Sequence, residues 1–190
     1  MMDDLEFLKK FLIFGLPLNF ILILFLILIV NNSGNGDLSI ISGEMLSIPF
    51  ESDSSYTITS GFGKRKNPLN GEENDFHTGI DLATSKGTNV VSSGDGIVEK
   101  IGFEKNGLGN YVYIKHNFSG LILYTMYGHM LDDSIVILEG QEIKKGEKIG
   151  QVGTTGASTG YHLHFMITSP IASYEEKYLI DPTYVIKGIN

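Results

Sequence analysis

Residues 154–167 read TTGASTGYHLHFMI and place His162 and His164 one residue apart at the start of an apolar run. Side chains of a β-strand alternate between the two faces of its sheet. Both imidazoles would therefore face one side, with Leu163 and Phe165 on the other. The α-carbons of the two histidines are then about 6–7 Å apart. The sequence thus predicts a buried strand that presents two histidines to one place.

The chain around this strand has the pattern of a β protein. Short apolar or alternating runs such as GNYVYIKH (109–116) and GLILYTMYGHM (120–130) are separated by glycines, and valine, isoleucine and tyrosine are frequent in them. No long stretch has a helical period with capping residues. Gly94-Asp95-Gly96 and Lys145-Gly146 are typical of hairpin turns. We predict one mainly β domain of antiparallel strands over residues 46–190.

The N-terminus has a different character. Residues 11–30 are twenty residues without a charge, and a helix of that length covers roughly the 30 Å hydrocarbon core of a bilayer. The alternatives are a cleaved signal peptide and a buried core helix. The apolar run exceeds the roughly 7–15 residues usual in a signal peptide, and NNSGNGD after it lacks a small-x-small cleavage site. These features favour a single transmembrane signal anchor.

The lysines around this segment predict its orientation. Lys9 and Lys10 precede it, whereas the fifteen residues after it contain no Lys or Arg. The positive-inside rule then assigns residues 1–10 to the cytoplasm. Residues 31–45 are rich in Asn, Ser and Gly, as expected of a flexible tether. We therefore expect a single-pass protein of the cytoplasmic membrane whose folded domain lies on the extracellular or periplasmic side.

The composition excludes several classes of site and partner. The chain contains no cysteine, which rules out disulfides, thiolate metal sites and cysteine nucleophiles. Its formal net charge is −8 and its only arginine is Arg65, so it lacks the basic stripe of a nucleic-acid-binding protein. The stretch GFGKRKNPLNGEEND (61–75) lacks the lysine and hydroxyl spacing of a phosphate-binding loop. We expect neither nucleic acid nor nucleotide as a partner.

Other polar residues could join the two strand histidines. FHTGIDLA contains His77 and Asp81, and the glycine between them makes a helix improbable, so a loop must bring them together. An imidazole nitrogen and a carboxylate oxygen both bind zinc at about 2.0–2.2 Å. His116 and His129 end two further strand-like runs. Histidines and a carboxylate at several strand ends, without a thiol, indicate a catalytic zinc site that keeps one position open for water.

Four segments carry a resemblance to a known family. SGFGKRKNP, FHTGIDLA, YTMYGHM and STGYHLHF resemble, in order and spacing, the motifs of the lysostaphin-type (LytM-like) zinc metallopeptidases, which cut peptide bonds in bacterial peptidoglycan. The resemblance covers residues 56–167. It implies a compact antiparallel β structure of barrel or sandwich type, with a narrow groove floored by the sheet.

The resemblance also implies the roles of single residues. His77, Asp81 and His164 would be the zinc ligands, and His129 and His162 would be the catalytic pair that does not bind the metal. Strand geometry alone allows both His162 and His164 to bind zinc, and only the resemblance decides between them. His116 is outside this set, either as a histidine of the core or as a support behind the site.

Together these features predict a membrane-anchored, zinc-dependent endopeptidase. Its partners would be the peptides of peptidoglycan, in cross-links or stem peptides, and the membrane that holds its N-terminal helix. The alternative is a catalytically silent wall-binding or scaffold module of the same fold. The presence of all five site positions favours the enzyme.

Overall fold

A computed structural model of the protein describes residues 45–68, 71–73, 75–118, 120–186 and 189. The predicted cytoplasmic segment 1–10, the transmembrane anchor 11–30 and, apart from Met45, the tether 31–45 lie outside these residues. Within the ranges that the structure describes, no helix is long and apolar enough to cross a bilayer.

The described residues form twelve strands and two short 3₁₀ helices, which confirms the mainly β prediction. The strands are β1 Thr57–Ser60, β2 Gly63–Arg65, β3 Asp75–His77, β4 Ile80–Ala83, β5 Asn89–Val91, β6 Gly96–Glu104, β7 Gly109–Phe118, β8 Leu121–Met130, β9 Glu142–Ile143, β10 Lys148–Gln151, β11 His162–Thr168 and β12 Leu179–Ile180. The 3₁₀ helices are Glu176–Tyr178 and Pro182–Tyr184.

Eight of the strands form one sheet in the order β1-β4-β11-β8-β7-β6-β9, with β12 beside β11. Every pairing is antiparallel. In the middle of the sheet, His164 of β11 lies opposite Asp81 of β4 on one side and Gly128 of β8 on the other. Two-stranded ribbons of β5 with β10 and of β2 with β3 complete the described strands.

The two faces of β11 differ as the alternation predicts. Leu163, Phe165 and Ile167 are fully buried in the main hydrophobic core, and we call this side of the sheet the core face. The core also includes Val90 and Ile149 of the β5–β10 ribbon, so the ribbon and the large sheet enclose it like the two layers of a sandwich. Burying each large apolar side chain stabilises the fold by about 1.5–3 kcal/mol.

The opposite face of the sheet, the site face, carries the polar side chains of β11. His162, His164 and Met166 alternate with the core residues there. Met166 belongs to a second, smaller apolar cluster together with Leu108, Tyr111, Tyr113, Met126 and Leu179. Polar and aromatic groups therefore share one face of the sheet, while the other face supplies most of the apolar burial.

Neither predicted hairpin is present, since β9 pairs with β6 and β10 pairs with β5, so that Lys145-Gly146 forms a turn between two sheets. Gly146 lies between β9 and β10 with a φ of 80°, a backbone conformation that glycine adopts without steric cost. The prediction of a hairpin at residues 94–96 is wrong, because β5 pairs with β10, whereas β6 pairs with β7 and β9. The chain crosses between two sheets there, and a glycine-rich turn does not reveal which strands pair.

His116 belongs to a buried polar network. Its Nδ1 donates to the Asp95 carbonyl at 2.8 Å, so in the neutral ring Nε2 accepts from the Thr125 hydroxyl, also at 2.8 Å. Thr125 in turn bonds the Tyr127 hydroxyl at 2.9 Å, and the Ser93 N–H donates to that hydroxyl at 2.9 Å. Burial lowers the pKa of His116. These contacts assign His116 a structural role.

We expect His116→Leu to lower the free energy of unfolding by about 2 kcal/mol, because it leaves the Asp95 carbonyl and the buried Thr125 hydroxyl without their partner. Urea denaturation measures the change. Phe118 stacks on the His116 ring at a centroid distance of 5.8 Å without a hydrogen bond to it. Phe118→Leu is therefore the matched control and should lower the free energy of unfolding by a smaller amount. A folded His116→Leu protein of undiminished stability would contradict the structural role.

Candidate metal centre

The structure brings all five predicted site residues into one cavity of about 270 Å³. They come from four strands: His77 ends β3, Asp81 lies in β4, His129 lies in β8, and His162 and His164 lie in β11. The pairings of β4 and β8 with β11 set the positions of four of them. The cavity opens on the site face. The strand pairings thus bring together residues that are up to 87 positions apart in the chain.

Three of the five residues form a tight, buried cluster. His77 Nε2 lies 3.1 Å from Asp81 Oδ1 and 3.0 Å from His164 Nδ1, and the last two atoms are 3.0 Å apart. The residues are 4%, 9% and 5% exposed, respectively. Atoms that bind one zinc ion at about 2.0–2.2 Å cannot be more than about 4.4 Å apart. The spacing therefore fits a single ion.

Hydrogen bonds orient the groups of this cluster, and its surroundings shift the pKa of Asp81 and of His164. His77 Nδ1 donates to the Gly61 carbonyl at 2.7 Å, so the Nε2 lone pair of the neutral ring faces Asp81 and His164. Burial alone would raise the pKa of Asp81, but its interactions with His164 and His77 outweigh burial and hold that pKa well below its usual range. Burial lowers the pKa of His164. Two neutral imidazoles and a carboxylate are a common zinc-binding set.

A glycine permits the close approach of β11 to the β3–β4 connection. A Cβ atom on Gly79 would lie 2.2 Å from the Phe165 carbonyl oxygen and 3.1 Å from His164 Nε2. Any other residue would push this connection off β11 and separate His77 from His164. Gly79, which argues against a helix in the sequence, is thus required for the close packing of β11 that brings the cluster together.

His129 has an unusual backbone conformation for a residue of a strand. Its φ is 59°, in the left-handed region that non-glycine residues rarely adopt. Its N–H donates to the Leu108 carbonyl at 2.6 Å, and its own carbonyl accepts from the Gly153 N–H at 3.1 Å. Such strain costs on the order of 1–3 kcal/mol and is frequent at functional sites. The conformation turns the His129 side chain into the cavity of the metal cluster.

His129 and His162 form a pair of rings with centroids 4.7 Å apart. His129 Nδ1 donates to the Thr155 carbonyl at 2.8 Å, and His162 Nδ1 donates to the Gly160 carbonyl at 3.0 Å. In a neutral ring bound in this way, Nε2 is the nitrogen with a free lone pair. Burial lowers the pKa of His129 to about 4, so this ring is neutral at pH 7.

The two histidines of β11 differ in their distances to the cluster. His164 Nδ1 lies 3.0 Å from both other ligand candidates, whereas His162 Nε2 approaches Asp81 Oδ1 at 3.5 Å. His77, Asp81 and His164 are the group whose atoms all lie within reach of one ion. The geometry thus favours His164 over His162 as the third ligand, where strand periodicity allows both.

Arg65 is a site residue that the sequence analysis missed. Its Nη1 lies 3.2 Å from Asp81 Oδ2 and also bonds the Ser60 hydroxyl, and its Nε lies 3.4 Å from Asp75 Oδ2. Asp81 therefore offers Oδ1 to the histidines while Oδ2 is held by Arg65. Arg65 is the only arginine in the chain, but nothing in the sequence pattern indicates which carboxylate it contacts.

Comparisons with known proteins match the part of the chain that contains this cluster. The model of peptidase family M23 matches residues 75–179. The chain is 43% identical over 114 residues to the peptidoglycan DD-endopeptidase ShyB of Vibrio cholerae, covering 58% of this chain and 24% of ShyB. It is also 43% identical over 89 residues to the murein hydrolase activator NlpD of Salmonella dublin, covering 47% of this chain and 22% of NlpD. The chain thus spans about a quarter of the length of these relatives.

The fold has solved counterparts as well. The catalytic domain of the antimicrobial peptidase lysostaphin from Staphylococcus simulans superposes with a TM-score of 0.58 at 29% identity. The match covers 67% of this chain and 89% of that domain. The mainly β architecture and the LytM-like resemblance are therefore confirmed.

We expect His77→Ala, Asp81→Ala and His164→Ala to lose bound zinc, because each removes one of three converging ligand atoms. His129→Ala and His162→Ala should retain zinc, because their rings are held by backbone carbonyls rather than by the cluster. Metal analysis of each variant after gel filtration measures this. One equivalent of zinc in His77→Ala would contradict the ligand assignment.

Arg65→Gln should weaken zinc binding by about 10–100-fold, the usual effect of removing a group that orients a ligand. Competition with a chelator of known affinity measures the loss. Arg65→Lys retains the positive charge but lacks the planar guanidinium group, and it should recover only part of the zinc affinity. Lys64→Gln, an exposed neighbour on β2, is the control. Equal zinc affinity in Arg65→Gln and Lys64→Gln would refute the orienting role.

Proposed function

The chain belongs to peptidase family M23, and on this premise we propose that it is a zinc-dependent endopeptidase acting on bacterial peptidoglycan. The observation that carries the proposal is the buried cluster of His77 Nε2, Asp81 Oδ1 and His164 Nδ1, with neighbouring atoms 3.0–3.1 Å apart. The names of ShyB, a peptidoglycan DD-endopeptidase, and of lysostaphin, an antimicrobial peptidase, support it. The proposed substrates are peptide bonds of cross-links or stem peptides.

The three clustered residues would hold the zinc ion. Zinc bound there supplies a Lewis acid for the scissile carbonyl and lowers the pKa of a coordinated water to about 7. Arg65 fixes Asp81 through Oδ2, and the Gly61 carbonyl fixes the His77 ring through Nδ1. Both contacts leave the opposite atom of the ligand residue directed at the cluster. The ligands are thus oriented before any substrate arrives.

His129 is suited to accept a proton from the attacking water. Its Nδ1–H is engaged by the Thr155 carbonyl, so only Nε2 is open to the groove. A pKa of about 4 leaves the ring unprotonated at neutral pH. A neutral imidazole held by one hydrogen bond in a largely buried position is a competent general base. The left-handed backbone at His129 directs its ring to this place.

His162 is suited to stabilise negative charge on the substrate. Its Nδ1 is bound to the Gly160 carbonyl, so a hydrogen bond to a developing oxyanion must come from Nε2. To donate from both nitrogens the ring must carry two protons, and the Asp81 carboxylate oxygen 3.5 Å from Nε2 is the counter-charge for that form. Removing such a donor costs about 100–1,000-fold in turnover in well-studied enzymes.

We further propose that the domain works outside the cytoplasmic membrane, held there by residues 11–30. The support is the charge-free run itself, the two lysines before it and the absence of Lys and Arg from the fifteen residues after it. A tether of about fifteen residues would keep the groove near the inner side of the wall. Membrane fractionation and protease protection of the full chain test this location.

The rival function is a silent wall-binding or scaffold module. The match to NlpD, a murein hydrolase activator, is the observation in its favour. Against it, all five site residues are present here and line one cavity. A module that only binds needs neither a strained His129 nor two imidazoles with free Nε2 atoms beside a metal cluster.

Zymography on purified peptidoglycan decides between the two functions. The full chain should clear the substrate, lose this activity on chelation and regain it when zinc is added. His129→Ala and His162→Ala should each lose at least about 100-fold of the activity while retaining zinc. A zinc-loaded chain that binds wall material and clears none of it would support the silent module. Mass spectrometry of fragments released from defined peptidoglycan identifies the bond cut.

A further inference from the structure

The site face continues beyond the metal cluster across β8, β7 and β6. A second cavity of about 360 Å³ lies there, against β6 and β7 and the segment that follows β11. Its lining residues are Glu99, Lys100, Glu104, Tyr111, Tyr113, Ala172 and Tyr174. Glu104 and Tyr174 also line the cavity of the metal cluster. The two cavities therefore adjoin, and one extended ligand can occupy both.

Three tyrosines form an uncharged wall of the second cavity. Tyr111 and Tyr113 are buried in the apolar cluster of the site face, with ring centroids 5.6 Å apart in an edge-to-face arrangement. Tyr174 is 47% exposed, so part of its surface is open to a ligand. Burial raises the pKa of Tyr113 and brings that of Tyr174 to about 12. These phenols are neutral at pH 7 and contribute no charge.

Glu104 is the charged group at the junction of the two cavities. Among the described residues, no ion pair involves its carboxylate. Lys100, the one cation lining the second cavity, lies instead over the Tyr111 ring, with its Nζ 5.6 Å from the centroid. Glu104 thus offers a carboxylate that no described cation contacts in an ion pair, although Lys100 is near enough to interact with it electrostatically, beside an aromatic wall. That combination favours a cation over an anion or an apolar group.

We propose that the second cavity is a substrate subsite for a primary ammonium group, carried on a side chain or at the N-terminus of the peptide whose scissile bond lies at the metal cluster. The ammonium pairs with the Glu104 carboxylate and contacts the exposed ring of Tyr174. This inference rests on the proposed peptidase function and specifies its substrate. A peptide without a free amine in reach of Glu104 is then a poorer ligand.

Binding of three peptides to the full-length chain tests the subsite. The probes are a synthetic stem-type peptide with one lysine, its Nε-acetylated form and its Nα-acetylated form, since acetylation removes the charge. Titration calorimetry is performed on His129→Ala protein, so that cleavage does not consume the probes. One of the two acetylations should weaken binding about tenfold, and its position identifies the amine.

Glu104→Gln in the same background should remove the preference, so that all three peptides bind alike. Glu142 is an exposed carboxylate of the edge strand β9. Glu142→Gln is therefore the control and should retain the preference among the three peptides. The subsite is refuted by equal affinities for the three peptides with Glu104 intact, by a preference that persists in Glu104→Gln, or by no measurable binding of the unmodified peptide.

Cleavage of the same peptides by the protein with His129 intact is scored separately. A chain that discriminates between the peptides in binding and cleaves none of them contradicts the peptidase function and leaves the subsite in place. A chain that cleaves and binds all three alike contradicts the subsite alone. The two proposals therefore fail in different ways.

Discussion

Two imidazole nitrogens and a carboxylate oxygen face one another at 3.0–3.1 Å in a buried pocket, and atoms with lone pairs at that distance repel unless a proton or a cation lies among them. Without a cation, only a proton shared among these atoms relieves the repulsion, and the fold must hold the three groups together. It does so with the apolar residues on the other face of the same strands, where Ile80, Leu82 and Phe165 are fully buried. A cation that binds the cluster removes the repulsion, so metal binding and folding support each other.

Backbone carbonyls hold the Nδ1–H of three histidines of the site. The carbonyls of Gly61 and Thr155 accept from the Nδ1 of His77 and His129, and a third carbonyl accepts from the Nδ1 of His162. Each contact frees Nε2 for the cavity. Because a carbonyl can only accept, each contact keeps a proton on Nδ1 and directs Nε2 at the cavity. The loops that carry the carbonyls are thus part of the chemical machinery.

The sequence was sufficient for the parts of the fold that depend on local periodicity. The alternation around His162 and His164 correctly predicts a strand with one polar and one apolar face, because the period of a strand is a local property. The strand partners of β5 and the contacts of Arg65 depend on residues distant in the chain, and no local pattern encodes them. The left-handed backbone conformation of His129 could not be predicted from the sequence either, since asparagine or glycine is the residue expected in that conformation.

Alternation also explains why the metal cluster and the aromatic cavity are neighbours. Asp81, His164, Met126, Tyr113 and Lys100 lie on the successive strands β4, β11, β8, β7 and β6, at positions that all point to the site face. A ligand that follows this face runs across the strands rather than along one of them. It meets the metal ligands first, then Glu104 and the tyrosines. The pleat of a single sheet would thereby set the order in which a ligand on this face meets the metal ligands and the aromatic cavity.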